Sequence, residues 1–255
     1  MVQNLNSQQQ AALKYIDGPL LVLAGAGSGK TSVITQKIAY LVEECGIPAR
    51  NIAAVTFTNK AAREMKARVS SLLGKTEGKG LTVSTFHNLG LTIIRTEIKA
   101  LGFRPGFSIL DQEDCRKLIK ELLVRHTELD EKLIDTAQST ISNWKNSLLE
   151  PGQAVSASNS TGEQGIAMLY ERYQRALKAY NAVDFDDLIM TPVMLFKQQP
   201  EILAKWQKRI RYLLVDEYQD TNLSQYLLVK QLVGVRGALT VVGDDDQSIY
   251  AWRGA

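Results

Sequence analysis

Cysteine is scarce: Cys45 and Cys115 are the two in 255 residues. That count excludes a disulfide framework and fits a reducing, cytoplasmic setting. Long apolar runs are missing too. Stretches such as 19–24 and 212–215 fall far short of the roughly 20 residues a membrane helix needs. Residues 1–10 are polar and lack the basic-then-apolar build of a signal peptide. No internal repeat is visible. With 45% hydrophobic and 22% charged residues the composition is that of a globular protein, so collagen-like, coiled-coil and disordered classes drop out. At about 150 residues per domain, the chain has room for one large domain or two small ones.

Charge of either sign is nearly balanced, at +3 overall. It is distributed unevenly: residues 1–87 carry 10 Lys/Arg against 5 Asp/Glu, whereas 88–196 carry 12 against 15. A basic segment fits a phosphate-facing surface, but a solvated helix face explains it as well. Lys60, Arg63, Lys66 and Arg68 are open to both readings.

Hydrophobic period and glycine punctuation alternate between helix and strand for the first hundred residues. Helices are expected at 5–16, 30–44 and 59–73, the last closed by Gly74, with strands at 20–24, 52–57 and 81–86. Strands spaced by helices imply crossover units and a parallel sheet. From His87 the pattern turns helical, at 87–101, 112–125, 131–148 and 164–182, and the Ser/Gly/Ala-rich stretch 150–165 reads as a mobile loop. Strands return at 212–215 and 239–242 around a helix at 224–233. The expectation is a discontinuous α/β domain, 1–87 plus 197–255, carrying a mainly helical insertion at 88–196.

Ala24-Gly25-Ala26-Gly27-Ser28-Gly29-Lys30-Thr31 lies between the first strand and the next helix. Backbone N–H groups and a helix N-terminus in that setting hold phosphates, and this is the context a P-loop requires. Glycines 25, 27 and 29 allow close approach and positive φ. Lys30 is placed to contact the β- and γ-phosphates and the Thr31 hydroxyl to bind Mg²⁺. The leading position of the pattern holds Ala24 instead of glycine.

The apolar strand at 212–215 ends in Asp216-Glu217. A chance surface pair is common. Beside a phosphate loop, however, Asp216 reaches the Mg²⁺ shell and Glu217 orients or deprotonates the attacking water. Phe57, Tyr250 and Trp252 offer aromatic faces near Asn59, Lys60 and Arg253. Stacking bases on such faces is sequence-tolerant and worth about 1–3 kcal/mol per base. Core packing is the competing reading for Phe57. His87 is open to a phosphate contact or a helix cap, and Trp144 and Phe185 read better as core of the insertion. Gln247, between an acidic strand end and the Tyr250/Trp252 pair, is placed to link a γ-phosphate to a base stack.

Asp216-Glu217-Tyr218-Gln219-Asp220 resembles motif II of superfamily 1 helicases, in particular the Rep/UvrD group of bacterial DNA helicases, with the Rep branch the better match. Leu5-Asn6-Ser7-Gln8-Gln9 is similar to that group's Q motif, residues 56–65 to motif Ia, 84–87 to motif Ib, and 243–255 to motif III. Segments 140–146 and 184–188 resemble the helical insertion, subdomain 1B. The resemblance implies a RecA-like ATP-binding subdomain 1A interrupted by 1B, with ATP and Mg²⁺ as cofactors and Gln9 reading the adenine. DNA would be held by Phe57, Thr58, Asn59, His87, Tyr250, Trp252 and Arg253, and the catalytic set would be Lys30, Asp216, Glu217 and Gln247. It further implies 3′-to-5′ movement on single-stranded DNA and DNA junctions, in replication or repair. A second RecA-like domain is expected beyond residue 255, supplying arginines to the γ-phosphate. This chain is therefore read as an N-terminal portion, with the alternatives of a weak binding module or a P-loop kinase of small molecules.

Overall fold

The computed structural model describes residues 5–25, 27–123 and 131–244. In chain order it runs α1 (Ser7–Lys14), β1 (Leu20–Leu23), α2 (Lys30–Glu43), β2 (Ile52–Thr56), α3 (Asn59–Glu77), β3 (Thr82–Thr85) and α4 (Phe86–Thr96). There follow β4 (Ser108–Ile109), α5 (Gln112–Leu123), α6 (Glu131–Asn146), α7 (Pro151–Ala157), α8 (Thr161–Ala179) and β5 (Ala182–Val183). The chain then forms α9 (Asp187–Gln198), α10 (Pro200–Arg209), β6 (Tyr212–Val215), α11 (Leu223–Val233) and β7 (Leu239–Gly243). Five strands make one parallel sheet in the order β1-β7-β6-β2-β3, as the alternating pattern predicts.

Strand periodicity sorts the core into two layers. Ala53, Val55, Leu213, Val215 and Val241 face α4, α9, α10 and α11, where Phe86, Leu89, Ile93, Ile189, Val193, Trp206 and Leu228 close the layer. Their neighbours Ile52, Ala54, Tyr212, Leu214 and Val242 face α2 and α3, against Ile34, Ile38, Met65 and Val69. β1 is an edge of the sheet, and Leu21 and Leu23 stand 54% and 57% exposed on it.

A separate cluster built on Cys115, Ile119, Ile134, Ile141, Ala167, Tyr170 and Tyr173 holds α5 to α8 together. Helices α4 and α9 share their core with the sheet. Residues 150–165 are not a loop. Pro151 starts α7 under a Glu150–Gln153 capping box, and the Ser160 hydroxyl accepts from Glu163 N to start α8. Gly74 breaks the helical path of α3 at φ 72° as expected, but a further turn follows before Gly78 closes it.

The helical part is tied to the sheet by buried charge. Lys145 Nζ, with no exposed surface, donates to Asp184 Oδ2 at 2.6 Å and Asp187 Oδ1 at 2.8 Å. Burial raises the Asp187 carboxyl to about 6, helped by the Asp184 charge; for Asp184, burial is outweighed by Lys145 and the value falls. Next to it, Asn146 donates to Asp186 Oδ1 at 3.0 Å and accepts from Asn222 Nδ2 at 2.7 Å. Asn222 caps α11, the helix that follows the acidic strand end.

Helices α4 and α9 cross at Gly90, where a Cβ would lie 1.8 Å from the Leu188 carbonyl oxygen. Gly90→Ala is therefore expected to force the helices apart, at a cost of about 3 kcal/mol or more in urea unfolding. Gly152→Ala serves as the control, since a Cβ there meets nothing within 4 Å. Equal unfolding midpoints for the two variants would reject this account of the crossing.

Candidate active site

The loop between β1 and α2 folds on local rules. Ser28 N donates to Gly25 O at 3.3 Å, and Gly27 and Gly29 take φ of 71° and 84°. Those two positions need glycine for their backbone; Gly25 has no positive φ and meets no protein atom at its Cβ position, so its glycine is not called for by φ. Gly29 precedes α2 without a side-chain cap, so the helix presents its positive dipole end from Lys30 and Thr31. Ala24 is half-buried after β1, and its N–H extends the ladder to Gly243 O at 3.1 Å; Ala26 lies outside the described residues.

Gln9 comes to this loop from α1. Its Oε1 accepts from Asn6 N in a capping box, and its Nε2 donates to Ser28 O at 2.8 Å. A Cβ on Gly29 would approach that Nε2 to 3.1 Å, which is a second reason for glycine there. Buried Lys37 anchors α1 by donating to Ala12 O at 2.7 Å and Tyr15 O at 2.5 Å. Burial lowers its ammonium to about 8.

The acidic end of β6 lies two strands away. Asp216 is 4% exposed, its N–H donates to Val55 O at 2.9 Å, and its Oδ1 accepts from Glu217 N at 3.1 Å. Burial, then the Glu217 charge, raises the Asp216 carboxyl to about 6. Glu217 itself has φ 53° and ψ 45°, a left-handed conformation rare outside glycine and typical of sites held under constraint. Lys30 closes the cleft from the other side, its Nζ 3.1 Å from Asp244 Oδ2, with side chains only 10% and 5% exposed. Asp244 was missed as a site residue, although an acid two residues past the 239–242 strand was the available signal.

These groups suit a hard divalent cation. Among the described residues no cluster of three or more metal-ligating side chains exists. Mg²⁺, however, is commonly held by one or two carboxylates and by phosphates. The buried Asp216 carboxylate beside Glu217 is the group such a cation would stabilise, with the Thr31 hydroxyl as a further oxygen donor.

A second group of side chains gathers beyond β2 and β3. Phe57 is half-buried and meets Phe86 edge-on at 5.4 Å, so part of it packs on the core. The Thr58 hydroxyl caps α3, accepting from Ala61 N at 3.1 Å, and Asn59 Oδ1 accepts from Asn88 Nδ2 at 3.1 Å. Thr85, not His87, caps α4. The His87 ring instead lies 4.3 Å from that of Phe185, tilted by 36°. Phe185 is 56% exposed, against the expectation of a core position. The reason is local: the Asp184 N–H donates to the Asp187 carboxylate and the Asp187 N–H to the Asp184 carboxylate, and this reciprocal pair fixes a turn that leaves the ring outward. Trp144 does pack in the helical cluster, 6.0 Å from Tyr170. Gln247, Tyr250, Trp252 and Arg253 lie outside the described residues.

A glycine loop at a helix N-terminus facing an acidic strand end, on a parallel sheet with a helical insertion, is the organisation of a RecA-like helicase domain. The chain belongs to the UvrD/REP helicase family: residues 5–255 match the UvrD/REP helicase N-terminal domain. It is 57% identical over 251 residues to the ATP-dependent DNA helicase Rep of Escherichia coli, covering 98% of this chain and 37% of that protein. It is also 48% identical over 257 residues to the ATP-dependent DNA helicase PcrA of Bacillus subtilis, covering all of this chain and 34% of that one. The chain thus spans little more than a third of the length of these relatives. Among the described residues no helix is long and apolar enough to cross a membrane.

Proposed function

We propose that this chain forms the nucleotide-binding and single-stranded-DNA-binding part of an ATP-dependent DNA helicase that moves 3′ to 5′ in cytoplasmic DNA replication or repair. The observation that carries the reading is the largely shielded Lys30–Asp244 pair at the phosphate loop, close enough to Asp216 on the adjoining strand end to act on its charge. Residues 24–31 would hold the phosphates of ATP, Gln9 the adenine, and Thr31 with Asp216 the Mg²⁺. The metal would supply charge neutralisation at the γ-phosphate. Glu217 takes the proton of the attacking water, and Gln247 couples that event to DNA. Phe57, Thr58, Asn59, His87, Tyr250, Trp252 and Arg253 line the DNA path, and the exposed Phe185 ring on His87 extends it. DNA junctions are the physiological substrate in this reading. The domain division is read as a RecA-like 1A carrying a helical 1B.

The test compares ATP hydrolysis with and without single-stranded DNA in two proteins: the 255-residue chain, and the same chain extended by the C-terminal part its relatives carry. The short chain is expected to bind Mg²⁺–ATP and DNA weakly and to turn over near background. An arginine donated to the γ-phosphate is worth about 10³–10⁵ in rate, and it comes from the second RecA-like domain. The extended chain should show DNA-stimulated hydrolysis. Equal turnover by both, or phosphoryl transfer to a small acceptor without DNA stimulation, would overturn the proposal; the latter result is that of a kinase.

A further inference from the structure

We infer that Gln219 is a positioning residue: its side-chain amide aims the Glu217 carboxylate and references it to the end of β7. The inference rests on the ATP-hydrolysing reading above. Gln219 Nε2 donates to Glu217 Oε2 at 2.8 Å, while Gln219 Oε1 accepts from Asp244 N at 3.1 Å. The amide can be oriented only one way, because a carboxylate needs the NH₂ and a backbone N–H needs the carbonyl. Two neighbouring strand ends, 25 residues apart in sequence at this bond, are therefore bridged through one side chain.

Three further observations show that the bridge is built in. Gly243 leaves room for it: a Cβ there would lie 2.9 Å from Gln219 Oε1 and 3.5 Å from Gln219 N. The backbone at Glu217 is left-handed, which turns its carboxylate back toward Gln219 across a single turn, Tyr218–Asp220. The bridged backbone N–H belongs to Asp244, the residue whose carboxylate pairs with Lys30. One amide thus connects the proton-accepting carboxylate to the acid at the phosphate-loop lysine.

The experiment measures ATP hydrolysis by the extended chain at saturating single-stranded DNA. Gln219→Ala is expected to lower kcat about tenfold, the scale of one hydrogen bond to a charged group, and to leave KM for ATP within about twofold. Gly243→Ala, which displaces the amide without altering Gln219, should lower kcat to a similar extent. In a Glu217→Gln background, followed by single-turnover measurement, Gln219→Ala should cost less than about twofold, since no carboxylate remains to be aimed. An undiminished tenfold loss in that background would show that Gln219 merely holds the fold, and would overturn the inference. Wild-type hydrolysis that Gln219→Ala leaves unchanged would overturn the positioning role alone. Absence of DNA-stimulated hydrolysis in the wild type would overturn the ATPase reading, and this inference with it.

Discussion

Lys30→Ala is expected to eliminate DNA-stimulated ATP hydrolysis by the extended chain, with a fall of at least about 10²–10³ in kcat, the scale of one lost electrostatic donor in a closed site. Lys30 brings the positive side chain of residues 24–31, and that side chain is only 10% exposed, where charge is poorly screened. Removing it costs twice. The phosphates lose a charge-assisted partner, and Asp244, 5% exposed, loses its cation and adds a third negative group to the cleft. Nucleotide binding, followed by fluorescence titration with Mg²⁺–ATP, should weaken as well. Unchanged turnover would reject the phosphate-loop assignment.

Glu217→Gln is expected to slow the chemical step by about 10²–10⁴ while Mg²⁺–ATP still binds, because shape survives and basicity is lost. The left-handed backbone at this position is shared by both side chains, so the variant should fold with an unaltered melting temperature. Asp216→Ala should differ in kind. It removes the buried carboxylate best placed for the metal, so Mg²⁺-dependent nucleotide binding should fail first. Titrating ATP affinity against Mg²⁺ separates the two, and failure at the same step in both variants would show that the roles are not divided between neighbours.

What was legible in the sequence follows from how local each signal is. The phosphate loop could be read because strand, glycine turn and helix start lie within a dozen consecutive residues, and β6 was bounded correctly from its apolar run alone. Residues 150–165 misled because Gly152, Gly162 and Gly165 resemble a linker. Their helices are set by two caps and by the burial of Ala154 and Ala167 against partners distant in sequence. α9 went unseen because Pro192 interrupts its pattern, yet the helix is held by packing on α4 and α11. Gln219 and Asp244 were not picked out as site residues for a common reason. Each acquires its meaning from a neighbour brought close by sheet order or by a distant turn, and no spacing along the chain encodes that proximity.

The edge of the sheet at β1 has a consequence for how this polypeptide behaves in a tube. Leu21 and Leu23 stand more than half exposed beside a row of strand donors and acceptors that no other described strand pairs. Unprotected edges of that kind recruit foreign strands, and bare apolar side chains next to them strengthen the attachment. A net charge of +3 is a weak deterrent to such contact. Screening of β1 is therefore expected to improve the colloidal stability of the 255-residue chain. Leu21→Lys is expected to slow aggregation relative to the unaltered chain, read by light scattering at equal concentration.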